Sequence, residues 1–541
     1  MSSDDGPEPL RIAVVGGGLA GCACAWRLLS LSSYVREHLG RGVHVTVLER
    51  SPFIGGRCAQ VNAQAAGLPE DLNVDWGPPM FHIVGSNDFF GFSPHNKRLI
   101  PLMNDLFRTG RIERWHGSFG QCSYSEPPRW GARVYSSNFR ALDDSPPDLP
   151  LRRAIGLLET NPVVSLRKSG IRDQFIRERF TTTPMAALPE LVLGRASELG
   201  VESSSVLETL CSTKVTDFKR TACGTWELHT EGGASVADNS YDWVVTTSAP
   251  FRAATGGGTL GSLAVASKDP TLSARVERIA DSLTIESVYI AVVAWKLPDP
   301  QLSETGASGR ATHPNAALDT ALASLYDLTE VVGSDIGDIR GTDQLERPPA
   351  HGVPRPRERG PRHPPPPTGP LGSIRVQSRR PPYAIVVLTS TAEFAAQMGT
   401  PLTEDLDPAE QECVGLELYV AFENLLRDSF GRIAQRPLPP PEWGPVVHRW
   451  AAATTKIESA TVAEVDGGQK IEGAVVFPEA GVAVAGDFLT PPASAASAEA
   501  AGCIENALGS GLEAAEAILR AALADVEPGD RQTQGNTGSK L

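Results

Sequence analysis

An α/β fold built on a parallel sheet is what this sequence predicts, and three observations carry the prediction. Ile12-Ala13-Val14-Val15 is an apolar run of strand length that passes through Gly16-x-Gly18-x-x-Gly21 into the helical run Cys22 to Leu29. A second strand, Val43 to Leu48, ends in the acid Glu49. Far along the chain Val482 to Ala485 is another short apolar strand, followed by Gly486-Asp487 and the amphipathic run Ile504 to Leu523.

The first strand and its glycines form a Rossmann-like dinucleotide-binding turn. Gly16 permits the tight turn, Gly18 lets the backbone approach a pyrophosphate, and Gly21 lets helix and strand pack closely while the helix N-terminus faces the phosphate charge. Glu49, at the end of the next strand, is placed to accept hydrogen bonds from an adenosine ribose. The interval from Gly21 to Glu49 exceeds the usual ~20 residues, and Ser30 to Gly42 absorbs the excess as an extended helix and a Gly40-Arg41-Gly42 turn. Gly256 to Gly261 repeats the glycine spacing but lies beyond Pro250, away from the strand Trp243 to Thr247, and reads as a flexible loop. After Glu49, Gly55-Gly56-Arg57 combines close backbone approach with a guanidinium that can reach a diphosphate.

From Trp76 to about Pro150 the sequence is aromatic and rich in loops; Asp143 to Pro150 reads as a loop and Ile171 to Arg179 as a charged helix. Ala186 to Leu199 is helical in pattern. Ser212 to Phe218, Thr225 to Thr230 and Tyr241 to Thr247 read as strands, with a hairpin turn at Glu231-Gly232-Gly233. Ser287 to Trp295 and Ala384 to Thr389 are further strands, and Glu410 to Phe430 is a long amphipathic helix. Between them, 341–382 is dense in Pro and Arg and reads as a disordered insertion.

Bulk properties exclude several function classes. The chain has 541 residues, enough for two or three cores, with 41% hydrophobic and 21% charged residues. Its formal charge of -15 disfavours nucleic acid, and no apolar run reaches the ~18 residues of a membrane span. The eight cysteines are dispersed without a zinc-binding spacing, so no metal site is expected. The last three residues, Ser539-Lys540-Leu541, are the tripeptide read by the peroxisomal import receptor, which predicts a peroxisomal location, with the cytoplasm as the alternative.

Taken together, Gly16-x-Gly18-x-x-Gly21, Glu49, Gly55-Gly56-Arg57 and Asp75-x-Gly77 resemble the FAD-binding half of the flavin amine oxidase superfamily. Pro184-Met185 and Val446-Val447-His448-Arg449-Trp450 resemble its renalase-type members more than the monoamine oxidases. The resemblance implies FAD as an integral cofactor. Glu49 would bind its ribose, Gly56 and Arg57 the region of the pyrophosphate, and Val215 the adenine through backbone contacts; Gly77 and Ala507 would lie near the flavin, and Asp487 would hold the ribityl chain. His448 and Trp450 are the candidate catalytic residues. The lysine that amine oxidases carry at the start of the substrate-domain strand has no counterpart in Ile285-Glu286-Ser287-Val288, and Asn506 stands where the family has a glycine.

The expected architecture is therefore an FAD-binding domain assembled from 10–100, 201–262 and 471–524, carrying an interleaved substrate domain of 101–200 and 263–470 with a mixed β-sheet, and a disordered tail at 525–541. The expected activity is hydride transfer from a C–H next to nitrogen, in a small-molecule dihydronicotinamide or amine, with oxygen as acceptor. A peroxisomal polyamine oxidase and a non-catalytic FAD-binding protein are the alternatives.

Overall fold

The computed structural model describes residues 7–61, 67–69, 74–77, 81–84, 99, 101–103, 105–106, 108–114, 119–125, 129–135, 177–181, 185–202, 205–231, 233–236, 240–248, 258–296, 330–333, 370–380, 383–399, 406–429, 439–457, 473–489 and 504–524. The expectations for Asp143 to Pro150, for most of the Pro/Arg-rich stretch, and for 525–541 with its terminal tripeptide lie outside the described residues.

In chain order the elements are β1 (Leu10–Val15), α1 (Leu19–Ser30), α2 (Ser32–Leu39), β2 (Val43–Leu48), β3 (Phe81–Val84), β4 (Glu113–Arg114), β5 (Phe119–Ser125), β6 (Arg129–Tyr135), β7 (Arg177–Thr181), α3 (Leu188–Glu202) and β8 (Val206–Leu210). There follow β9 (Val215–Arg220), β10 (Trp226–Thr230), β11 (Trp243–Thr246), α4 (Gly258–Ser267), α5 (Pro270–Ser282), β12 (Leu283–Lys296), β13 (Glu330–Gly333), β14 (Leu371–Arg380) and β15 (Tyr383–Ser390). The last are α6 (Ala392–Met398), α7 (Pro408–Ser429), β16 (Trp443–Ile457), β17 (Ala474–Phe477), β18 (Val482–Ala485) and α8 (Ile504–Ala524).

The first sheet runs β17-β18-β11-β1-β2-β8, parallel from β18 to β8, with β17 antiparallel at one edge. β1 sits inside it because Ile12, Ala13 and Val14 are apolar on both faces and fully buried. Alternation divides the strands between two cores. Ile12, Val14, Val45, Val245 and Ala483 face the layer of α1, α3 and α8. Ala13, Val15, Val244, Val482 and Val484 face the opposite layer, where Phe218, Trp226 and Leu228 of the β9–β10 hairpin meet Leu272, Val276 and Ile279 of α5. Asp269 caps α5 by accepting from the Thr271 N–H at 2.8 Å.

The second sheet runs β16-β12-β15-β14-β13-β5-β6. It is mixed: β13 and β5 are parallel and the other pairs antiparallel. One face of β12, through Tyr289, Ala291, Val293 and Trp295, is covered by α6 and α7. The other, through Ile290, Val292 and Ala294, packs on Val61, Leu68 and Val74 of the first segment.

Three expectations are corrected. Residues 258–261, read as loop, begin α4; the glycines gave no apolar period, but the apolar residues that follow carry the helix. Residues 177–179, read as the end of a charged helix, belong to β7, which pairs with both β3 and β4. Leu371–Arg380, read as part of the disordered insertion, is β14, because pairing on both sides with β13 and β15 outweighs its polar composition. Leu102, Met103, Leu106 and Ile112, together with Leu188 and Val192 of α3, join the core under the parallel sheet, and Leu272 and Val276 of α5 the core on its other face.

Candidate functional site

The C-terminal ends of β1, β2, β11 and β18 meet at one edge of the parallel sheet, where such sheets place their ligands. β1 leads into Gly16 at φ 114°, a left-handed value that favours glycine, and a Cβ there would overlap the Thr247 hydroxyl. Thr247 closes β11 and donates to the carbonyls of Val15 at 3.2 Å and Gly16 at 3.3 Å. Gly18 is the N-cap of α1, and among the described residues no side chain caps that helix. A Cβ on Gly21 would overlap the Gly16 carbonyl oxygen, so the turn and the helix close on each other only with glycine there. The open N–H groups of α1 and its dipole make an anion-binding end.

Glu49 is 6% exposed, and its carboxylate accepts from the Gly17 N–H at 2.8 Å and the Ser51 N–H at 2.8 Å. The Gly17 carbonyl in turn accepts from the Gly55 N–H at 3.1 Å, which joins the glycine turn to Gly55-Gly56-Arg57. Gly56 has φ 58°, and a Cβ on it would stand 3.0 Å from the Gly18 Cα, so the two backbones approach closely at Gly56, whereas a Cβ on Gly18 would make an ordinary contact at 3.8 Å. On the far side of Glu49, the main chain of 210–213 is strapped to it: the Glu49 N–H donates to Leu210 at 2.9 Å and the Thr213 N–H to Glu49 at 2.8 Å. Val215 follows at the start of β9, its side chain in the core.

Gly77 approaches the main chain of Arg57, where a Cβ would lie 2.6 Å from the Arg57 carbonyl oxygen. Asp75 accepts from the N–H groups of Met185 at 3.0 Å and Ala186 at 3.3 Å, which seats these two residues beside this loop. Arg57 reaches both of the distant parts of the chain. Its Nη2 lies 2.5 Å from Asp487 Oδ1, and its Nη1 donates to the Ala453 carbonyl of β16 at 2.8 Å. Two of the five donors of this guanidinium thus meet protein oxygens.

Asp487 is 3% exposed at the end of β18, and its Oδ2 is buried without a hydrogen-bond partner among the described residues. The preceding Gly486 is fixed by its N–H donating to Ser510 Oγ of α8 at 2.7 Å, and Ser510 donates to the Gly473 carbonyl. Ala507 is half-buried in the first turn of α8.

His448 and Trp450 share one face of β16, as alternate residues of a strand must. The His448 ring lies 4.6 Å from that of Trp450 and 5.3 Å from that of Trp76, centroid to centroid. Burial lowers the His448 pKa from its ordinary 6.5, so the imidazole is neutral at neutral pH. Burial also pushes the thiols of Cys24 and Cys58 up to about 12, and that of Cys22 well above its ordinary value, which makes them packing groups rather than nucleophiles.

All ten cofactor residues expected from the sequence therefore fall on the segments around this edge, while His448 and Trp450 stand on the neighbouring sheet. Sequence reasoning missed Thr247 and the tilted ring contact of Trp76 with His448. Thr247 carried a signal, a polar residue at the C-terminal end of a core strand; Trp76 carried none, because its partner is on another segment.

The family model of NAD(P)-binding Rossmann-like domains matches residues 14–92. This chain carries a Rossmann-like dinucleotide-binding domain. Carotenoid phi-ring synthase of Streptomyces griseus is 32% identical over 170 residues, 30% of this chain and 29% of that protein, so the chain spans less than a third of that relative's length. Among solved structures, a putrescine oxidase triple mutant aligns over 95% of this chain and 99% of its own at 12% identity and TM-score 0.46. Cyclohexylamine oxidase of Brevibacterium oxydans aligns over 95% and 99% at 13% identity and TM-score 0.46. The orphaned Asp487 oxygen fits a ligand that carries hydroxyl donors, as the ribityl chain of FAD does. No helix among the described residues is long and apolar enough to cross a membrane.

Proposed function

We propose that this protein is an FAD-dependent oxidoreductase of the flavin amine oxidase type. The observation that carries the reading is the meeting of Arg57, next to the glycine turn, with the buried Asp487 of the last segment. An NAD(P)-binding domain alone needs the first of these; the second adds an acceptor for a polyol. When bound, FAD supplies a two-electron acceptor that takes a hydride from a substrate C–H next to nitrogen and passes the electrons to oxygen, giving hydrogen peroxide.

The chain's own residues bind and orient. The N-terminus of α1 holds the anionic bridge, and Glu49, already oriented by Gly17 and Ser51, retains a free lone pair on each oxygen for a ribose hydroxyl. Asp487 Oδ2 accepts from the ribityl chain. On the sheet side, Val288, Ile290 and Trp450 with Trp76 form an apolar wall that excludes water, and His448 stands in it as a neutral hydrogen-bonding group that orients the substrate.

Renalase-type chemistry on a dihydronicotinamide and amine oxidation are the donor classes drawn from the resemblance. A carotenoid-type donor is a second reading, favoured by the sequence relative and by the apolar wall. Anaerobic mixing of the flavin-loaded protein with an amine, a dihydronicotinamide and a carotenoid distinguishes them. One class is expected to bleach the flavin absorbance, with colour and peroxide returning in air. No reduction by any of the three would leave the non-catalytic alternative in its place.

A further inference from the structure

We propose that Arg57 is a positioning residue for the cofactor: it holds one oxygen of Asp487 so that the other is presented as an acceptor, and through Ala453 it docks the substrate sheet on the cofactor cradle. This deepens the FAD reading above and rests on it. The inference differs from the expected role of Arg57, direct binding of the diphosphate, in where its effect is transmitted.

The argument starts at the base of the side chain. Gly56 takes φ 58° and the Cys58 N–H donates to the Gly55 carbonyl at 3.1 Å, so the main chain on both sides of Arg57 is fixed by a turn that only glycine makes easily. Gly77 presses on the Arg57 carbonyl from the other side. The guanidinium projected from this turn is a rigid planar fork with its donors at set angles. One prong meets Asp487 Oδ1 at 2.5 Å and another the Ala453 carbonyl at 2.8 Å.

The acceptor side is equally fixed. Ser510 on α8 pins Gly486, the residue before Asp487, so the carboxylate leaves a preset main chain. Asp487 is 3% exposed, where a lone carboxylate is costly, and Arg57 is its partner. With Oδ1 taken, the only orientation left to Oδ2 is buried and, among the described residues, without a donor. The chemistry that completes it is a hydroxyl of a polyol chain.

The third contact ties in the substrate sheet. Ala453 lies on β16, which pairs with β12 and carries His448 and Trp450 on the same strand. At this end of the strand pair Glu286 of β12 stands opposite Thr454 and Thr284 opposite Lys456, whereas Val288 and Ile290 stand opposite Trp450 and His448. One side chain thus joins the first segment, the last segment and the strand bearing the candidate catalytic residues.

The test is a double-mutant cycle on FAD affinity, read by fluorescence titration, with Arg57→Gln, Asp487→Asn and the pair. Each single change is expected to weaken FAD by roughly 10- to 100-fold, as loss of a charge-assisted bond does. The double variant is expected to bind within about threefold of Asp487→Asn alone, because Arg57 then has nothing to orient. A double variant whose loss is the product of the two single losses would overturn the proposal and return Arg57 to the diphosphate. Arg57→Lys keeps the charge and loses the fork; it is expected not to rescue, and full rescue would likewise overturn the proposal. Should the wild type bind no FAD, the FAD reading fails, and the same cycle read on the urea midpoint still decides the coupling: Asp487→Asn is expected to restore stability to Arg57→Gln, and simple additivity would contradict it.

Discussion

His448 stands on β16 with its ring between those of Trp76 and Trp450, and burial lowers its pKa below the ordinary 6.5. The unfolded chain binds the proton more readily, so the stability that neutral His448 contributes is complete above about pH 6.5 and is lost as pH falls through that value toward its lowered folded value. His44 is shifted the same way, by burial and by Arg11, so the wild type alone does not isolate either group. Comparing the denaturation midpoints of wild type and His448→Phe at about pH 7.5 and about pH 5.5 does. The wild type is expected to lose more stability between the two than the variant; equal losses would show that His448 is not held neutral. At this scale the sequence made some things legible and not others. His448 and Trp450 could be paired because alternate strand residues share a face, and Glu49 because it ends β2 beside the glycine turn. The bond between Arg57 and Asp487 was not legible, since a guanidinium can satisfy a phosphate or a carboxylate equally well and only the fold brings Asp487 within reach.

Helix packing around the parallel sheet turns on a few close approaches. α8 crosses α1 at Gly511, where a Cβ would overlap the carbonyl oxygen of Ala20 and lie 3.0 Å from the Cys24 N. Gly511→Ala is therefore expected to cost about 1–3 kcal/mol, since the clash is with backbone that cannot rotate away. Gly261 provides the contrast: it lies within α4, and a Cβ there meets no described atom within 4 Å. Gly261→Ala is expected to be neutral or to stabilise by up to about 1 kcal/mol through helix propensity. Urea midpoints check both, and an equal loss in the two variants would contradict this packing. The same contrast explains the misreading of that glycine run: its spacing repeats the pattern of the first turn, but Gly261, at the position matching Gly21, is not needed for close approach. β1, β2, β11, β12 and β18 were legible as apolar runs of strand length. β8 was not, because as an edge strand it leaves Val206 51% exposed and has no uniform apolar run; β14 was hidden by the Pro/Arg-rich composition around it.

At the scale of the whole molecule, the parallel sheet is sewn from distant segments: β11 pairs with β1 on one side and β18 on the other, with β8 completing the far edge. No local pattern specifies that order; it follows from which apolar faces find one another, and the sequence suggested it only through the resemblance of its separate motifs to one family. α3 and α5, which precede and follow β11 in the chain, pack on opposite faces of this sheet, so linear order alone does not give the packing. What the arrangement accomplishes is to bring the glycine turn, Glu49 and Arg57 against Asp487 and the end of β18. The most direct measurement is the visible absorbance of the purified protein, desalted after incubation with excess FAD, beside that of Gly18→Val. A wild type that keeps the yellow flavin spectrum while the variant emerges colourless is the predicted result; a colourless wild type, or equal flavin retention by both, would contradict it.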